Sequence, residues 1–447
     1  GQKMLSSGSQ FDALAMRLIF SAVLTVEPTV SKHLLILILA PIGLLIGCNH
    51  RATYNENPQP LAARTFARQW ATQLDHADES PVTAVHVVDK FVFAYRQDGT
   101  STVMDRATGQ MLHREQPRGG MVRMHPPVVL TNRIVYPTTT YLEIYDFAGR
   151  YIPHPSRPSD ETDKPFSQEL KFAIHSDVVA QGRYAFFGAD FRDSGRAVEV
   201  DLTRPYVPAI WTLMTPGSSV IAAPAVSKLD VFIAAENGQV AAVTIENRDP
   251  VWDLEQNVFG TYGGIIANLV HDNTELYVAS TDTKLYCLDA QHGKVKWQFY
   301  AGHALRQAPI VTKTTVYLPV PTAGLAAIDK VASAATPGEG SSRRARWIAR
   351  DATQFLSEDD KYTYVVTGDN HIAGLNKATG DVSFVSQRND FVAFGVNTTG
   401  DGIIYACDGN ARILAIHPVL EGGGVGEVVM LPPKPQAVAV ANYARTQ

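Results

Sequence analysis

Hydrophobic and polar positions alternate along this chain in short runs, and each run ends in Gly, Asn, Asp or Thr. Residues 275–300 show the pattern: ELYVAS, TDT, KLYCLD, AQHG and KVKWQFY read as strand, turn, strand, turn, strand. Alternation with a period of two, rich in aromatic and β-branched residues, predicts half-buried strands and not helices. Nothing after residue 75 carries a sustained helical period.

The runs recur. An aromatic anchor in the pattern x-hydrophobic-aromatic-x-x falls at Phe93, Phe186, Phe232, Tyr277, Tyr317, Tyr364 and Tyr405, with Val135 standing in for the second copy. The spacings of 42, 51, 46, 45, 40, 47 and 41 match the ~40 to 45 residues of one four-stranded propeller blade. The fold expected is all-β: an eight-bladed β-propeller of four-stranded antiparallel blades, or seven blades if residues 150–200 form an irregular segment.

Twelve residues after six of the anchors lie Asp105, Thr244, Asp289, Asp329, Asn376 and His417. Gly109, Gly293 and Gly380 follow four after Asp105, Asp289 and Asn376, and a ring follows at eight, as in MDRATGQMLH, LDAQHGKVKW and LNKATGDVSF. Glycine suits a turn position with positive φ, and the acid or amide suits a side chain that accepts turn N–H groups. Trp252 and Trp297 take the ring position, and Trp211 and Trp347 share its phase after insertions. One indole buries about 150–250 Å², so tryptophans at one repeat phase fill the gaps between neighbouring blades. The fifth, Trp70, lies on residues 66–74, which read as an outer strand detached from its blade. Its acceptor is the last copy, residues 403–419, which closes the ring and removes an open sheet edge; residues 427–431 could supply the same strand.

The amino-terminal fifty residues differ. An apolar block from Leu34 to Ile46 follows Lys32 and stops at Cys48; it is shorter than the ~20 residues a spanning helix needs and fits a secretory signal. Leu45, Ile46, Gly47 and Cys48 resemble a bacterial lipobox, which implies a mature chain starting at lipidated Cys48, anchored by several acyl chains such as palmitate. Met16 is a candidate translation start. The expected organisation is residues 1–47 as signal and over-extended start, 48–61 as flexible tether, 62–436 as propeller and 437–447 as tail. Asn49 after the lipid cysteine is compatible with outer-membrane delivery.

Charge changes the picture little. The 447 residues carry 39 Lys plus Arg against 44 Asp plus Glu, spread along the chain, so no electrostatic footprint for nucleic acid arises. Insertions at residues 149–170 and 331–347 read as loops on a rigid ring, either contact surfaces or solvated linkers of no function; the second ends in Arg343, Arg344 and Arg346.

The stretch Cys287 to Trp297, CLDAQHGKVKW, resembles the A-x-D-x-x-T-G-K-x-x-W repeat of the PQQ-type (quinoprotein-type) propellers, with cysteine in place of alanine. The resemblance covers residues 66–431. That superfamily includes quinoprotein dehydrogenases and non-catalytic lipoproteins of the BamB type, which join a lipobox, a tether and a single propeller. A dehydrogenase implies a calcium site, an aspartate base and often an adjacent cysteine pair. No Cys-Cys pair or C-x-x-C-H occurs; Cys287 and Cys407 read as buried free thiols. The thirteen histidines show no H-x-H or H-E-x-x-H grouping, and no G-x-S-x-G is present. No catalytic, cofactor or metal residue is therefore assigned. The resemblance implies a non-enzymatic, lipid-anchored scaffold on the periplasmic face of a bacterial outer membrane, whose partners are envelope proteins such as a barrel assembly complex. A PQQ-dependent oxidoreductase with a divergent site and a wall- or glycan-binding propeller are the alternatives.

Overall fold

The computed structural model describes residues 66–418, apart from 75–79, 117–124, 151–166, 170–172, 192–193, 204–207, 210–217, 254, 256, 332–339 and 388–389. Eight antiparallel sheets follow one another along the chain, each starting from an inner strand and adding three strands outward. The all-β propeller is therefore eight-bladed, and the seven-bladed alternative is set aside. Blade 5 shows the plan: Val270–Asp272, Glu275–Ala279, Lys284–Asp289 and Val295–Tyr300, in that order across the sheet.

Every anchor lies on the second strand of its blade and is buried: Phe93, Val135, Phe186, Phe232, Tyr277, Tyr317, Tyr364 and Tyr405 are each at most 1% exposed. These middle strands meet a neighbouring blade on both faces, so a strand such as Phe91–Arg96 is buried at every position, although alternation in the sequence suggests one wet face. The outer strand Met111–Glu115 is mostly exposed. The apolar core is accordingly divided among the seams. Ala267, Cys287, Trp297 and Leu305 meet Val316, Leu318 and Ala326 between blades 5 and 6, and comparable clusters fill the other interfaces, because a small twisted sheet buries both faces only by stacking on its neighbours.

The ring closes through the amino-terminal strand. Phe66–Gln73 pairs antiparallel with Arg412–Pro418, Phe66 opposite Pro418 and Gln73 opposite Arg412, and completes blade 8 with Phe391–Gly395 and Ile404–Asp408. Residues 427–431, the rival for this position, lie outside the described residues. Arg106 of blade 1 fastens the closure: its guanidinium donates to Tyr405 Oη at 3.0 Å and to Asn397 Oδ1 and Thr399 Oγ1 at 2.8 Å, and it pairs with Asp401.

One blade departs from the four-stranded plan. Ser341–Arg343 adds a fifth strand, parallel, to the outer edge of blade 5, with Trp297 opposite Ser341 and Phe299 opposite Arg343. The insertion expected to be a loop contact surface is therefore tied down at its end. Arg346 is fixed as well, donating to Asp329, to Thr315 Oγ1 and to the Lys377 carbonyl.

Candidate functional site

The repeat residues meet at the seams. Trp70 is 6% exposed, Trp252 and Trp347 1%, and Trp297 2%. Each packs against the anchor ring of its own blade: Trp70 on Tyr405, Trp252 on Phe232, Trp297 on Tyr277 and Trp347 on Tyr317, at centroid distances of 5.9, 6.2, 6.0 and 5.9 Å. Three of these indoles reach into the next blade's turn: Trp70 Nε1 donates to the Arg106 carbonyl at 3.0 Å, Trp252 to Ala290 at 2.9 Å and Trp347 to Lys377 at 3.0 Å. In each case the acceptor directly follows the turn's acid or amide. Asp105, Asp289 and Asn376 accept the backbone N–H groups two and three residues on. Asp329 does otherwise, since its carboxylate is taken by Arg346.

The glycines have two reasons to be glycine. Gly109, Gly293 and Gly380 adopt φ of 71°, 70° and 79°. A Cβ there would also stand 2.5 Å from the Trp70 ring, 2.5 Å from Trp252 and 2.6 Å from Trp347, so the indole lies flat on the turn. Trp211 and the lipobox residues Leu45, Ile46, Gly47 and Cys48 lie outside the described residues.

The inner strands of blades 1, 7 and 8, with the turn of blade 7 that holds Asn370, line a cavity of about 680 Å³ whose wall mixes Thr83, Gln354 and Asn370 with Val85, Val392 and Phe394. His86 is the titratable residue of that wall. Burial lowers its pKa to about 4 against the opposing pull of Asp177, so the ring is neutral near pH 7. A polar belt is formed by residues just before the inner strands of blades 2 to 5. Asp177 of blade 3 receives His125 Nδ1 at 3.0 Å on one oxygen and Asn268 Nδ2 at 2.7 Å on the other, while Asn268 Oδ1 accepts the Ala223 N–H at 2.9 Å. Sequence reasoning missed this belt, yet a signal existed: Asp177, Ala223 and Asn268 each stand nine residues before their blade's anchor.

This donor set does not fit a calcium-held quinone. Calcium takes six to eight oxygens, whereas both oxygens of Asp177 are already engaged. Among the described residues no group of three His, Cys, Asp or Glu side chains is arranged to hold a metal. The two cysteines among the described residues are held as thiols: Cys287 and Cys407 are buried and free, and burial pushes the Cys407 thiol up to about 12 and also raises that of Cys287.

A second polar cluster sits at the seam of blades 1 and 2. His113 occupies the tryptophan phase and packs on Gly149, where a Cβ would stand 2.6 Å from its ring. Two residues on, burial and the nearby Glu143 and Asp146 carboxylates raise the Glu115 pKa to about 7. At one rim, Tyr262 is 99% and Tyr300 68% exposed. Tyr262 is not on a loose loop: its N–H bonds Asp282, which also accepts the Tyr286 hydroxyl at 2.7 Å, and a Cβ on Gly263 would meet the Asp282 nitrogen at 2.3 Å.

Comparison with known proteins follows the same lines. Residues 260–336 match the family model described as outer membrane protein assembly factor BamB. No curated protein sequence matches. The fold is similar to the crystal structure of BamB from Moraxella catarrhalis, at 14% identity and TM-score 0.56, over 79% of this chain and 99% of that one. It is also similar to the computationally designed Ika8 protein (13%, TM-score 0.53, covering 80% of this chain and all of that one). A third likeness is to quinohemoprotein alcohol dehydrogenase from Comamonas testosteroni (12%, TM-score 0.56, covering 84% of this chain and 79% of that one). With seams built from indole, turn acid or amide, and glycine, the chain is an eight-bladed β-propeller whose residues 260–336 match the BamB family model and whose fold is similar to that of BamB.

Proposed function

We propose that this protein is a non-enzymatic, lipid-anchored scaffold on the periplasmic face of a bacterial outer membrane, acting in outer-membrane protein assembly. The observation that carries the reading is the match of residues 260–336 to the BamB family model. Fold alone does not separate a scaffold from a dehydrogenase, since both likenesses have the same TM-score. The inner wall favours the scaffold, because both oxygens of the Asp177 carboxylate are engaged by His125 and Asn268 and, among the described residues, no three His, Cys, Asp or Glu side chains gather to hold an ion.

Geometry suggests how such a scaffold would work. Cys48 would carry the lipid, and its tether joins the ring at Phe66, where the outer strand of blade 8 begins. Tyr300 ends an outer strand and Tyr262 follows one, so both stand at the opposite rim. There they would be offered to partners. Aromatic side chains on a rigid support are the kind that dominate protein contacts.

The test is co-purification after mild cross-linking in a bacterial host expressing the full chain. A barrel assembly complex should be recovered with the wild type, and recovery should fall with Tyr262→Ala/Tyr300→Ala. Recovery of unrelated wall enzymes alone would remove the role. Dye-linked alcohol oxidation on adding PQQ and calcium would replace it with the oxidoreductase reading.

A further inference from the structure

The seam between blades 5 and 6 breaks the pattern of the other described tryptophan seams. There the Trp297 N–H, buried, has no hydrogen-bond partner. The acceptor it would use by analogy, the carbonyl of the residue after the turn acid, is that of Lys330. That carbonyl is taken by Arg343 Nη1 at 2.6 Å, and the same nitrogen donates to the Asp329 carbonyl. The Arg343 guanidinium also covers the Trp297 ring, with Cζ 4.5 Å from its centroid. A side chain from the added strand has thus replaced the indole as donor to the next blade.

The replacement is imperfect. Besides the indole nitrogen, Ser341 Oγ and Arg343 Nε are buried without partners. Three orphaned polar atoms therefore gather at a joint held by a three-residue parallel pairing and the Gly340 N–H to Val295 carbonyl bond of 2.8 Å. Orphaned buried donors are unfavourable, and withdrawing Arg343 would relieve them: the guanidinium would reach water, and the indole would gain the acceptor that its three counterparts already use.

We propose that Ser341–Arg343 is a two-state latch on the outer edge of blade 5. Closed, Arg343 sits on Trp297 and the strand covers the edge. Open, Trp297 bonds the Lys330 carbonyl and the backbone of Trp297 to Phe299 is bare. The latch does not depend on the scaffold role, because both states are defined within this chain.

Hydrogen exchange and indole NMR of the ring test it. Arg343→Ala should speed exchange of the Gln298 amide, which faces the added strand while the Trp297 and Phe299 N–H groups face Lys284–Asp289, at least about tenfold, a change of ~1.4 kcal/mol in opening, and leave Thr315–Val320 of blade 6 unchanged. The Trp297 indole proton should move to a hydrogen-bonded position alongside those of Trp70, Trp252 and Trp347. Unchanged exchange, or an indole proton that stays put, overturns the proposal. Should Arg343→Ala not fold, Gln298→Cys/Ser342→Cys supplies the answer: those residues are opposite one another, so the disulfide holds the latch shut and reduction should restore faster exchange at the edge. Equal exchange in the oxidised and reduced forms also overturns it.

Discussion

Gly109→Ala isolates the contact on which the seams depend. Two separate costs arise there. Alanine at φ +71° meets the left-handed penalty of about 1–2 kcal/mol, and its Cβ would lie 2.5 Å from the Trp70 ring, adding overpacking of about 1–3 kcal/mol. The expected loss is therefore ~2–5 kcal/mol. Gly182 is the control: its φ is +61° with nothing within 4 Å of a Cβ, so Gly182→Ala should cost only the first part. Removing the ring should remove the second part. Trp70→Ala alone should cost about 3–5 kcal/mol, but Gly109→Ala made in that background should add only ~1–2 kcal/mol, leaving a coupling of about 1–3 kcal/mol. Urea midpoints for the four members of the cycle and the control read this directly. Equal losses at Gly109 and Gly182, together with additivity in the cycle, would refute the docking of indole on turn.

Arg106→Met should cost about 2–3 kcal/mol, because it strips charge-assisted bonds from Asn397 and Tyr405; Asp401→Asn, which removes a partly exposed partner, should cost under ~1 kcal/mol. His86 should give stability a pH slope: its pKa is lower folded than unfolded, so its contribution is complete above about 6.5 and is lost as pH falls towards 4. At this partly buried site this amounts to roughly 1–2 kcal/mol, and His86→Gln should flatten the denaturation midpoint over that range. Glu115 should act oppositely: with its pKa raised to about 7, its carboxyl favours folding below about 4.5 and loses that contribution as pH rises through 7. Glu115→Gln should accordingly stabilise the ring by about 1 kcal/mol at pH 8 and have little effect at pH 4. In a Cys48→Ser chain, Cys287 and Cys407 should resist maleimide until the ring unfolds, since both are buried and held protonated; rapid labelling of the folded chain would contradict their placement.

The ring was legible because its signals are local and repeated. An aromatic anchor, a turn acid twelve on and a glycine four after that recur often enough to number the blades, and Trp70 standing apart from its blade pointed to closure across the chain ends. The continuous burial of Phe91–Arg96 was not legible, because alternation reports one sheet face and cannot show that a second blade covers the other. Arg343 was misjudged for a related reason: three arginines after Ser and Gly look like a solvated loop, and only a partner distant in sequence, the Trp297 ring, makes one of them structural. The Asp177, His125 and Asn268 belt was hidden because polar residues before three different anchors mean nothing until the ring brings their strands to one axis. The segment holding Cys48 was read from a short motif, and the lipid anchor stands with the proposed function.

The central claim is that the amino-terminal strand closes blade 8, and a cross-link tests it most directly. Gln73 and Arg412 are opposite one another in that pairing, so Gln73→Cys/Arg412→Cys in a Cys48→Ser chain should oxidise to an intramolecular disulfide and raise the melting temperature. Mass spectrometry of the digested protein should find those two positions joined. Failure of that pair to join, with an Arg412→Cys/Val428→Cys chain forming the disulfide instead, would show that another segment closes the ring.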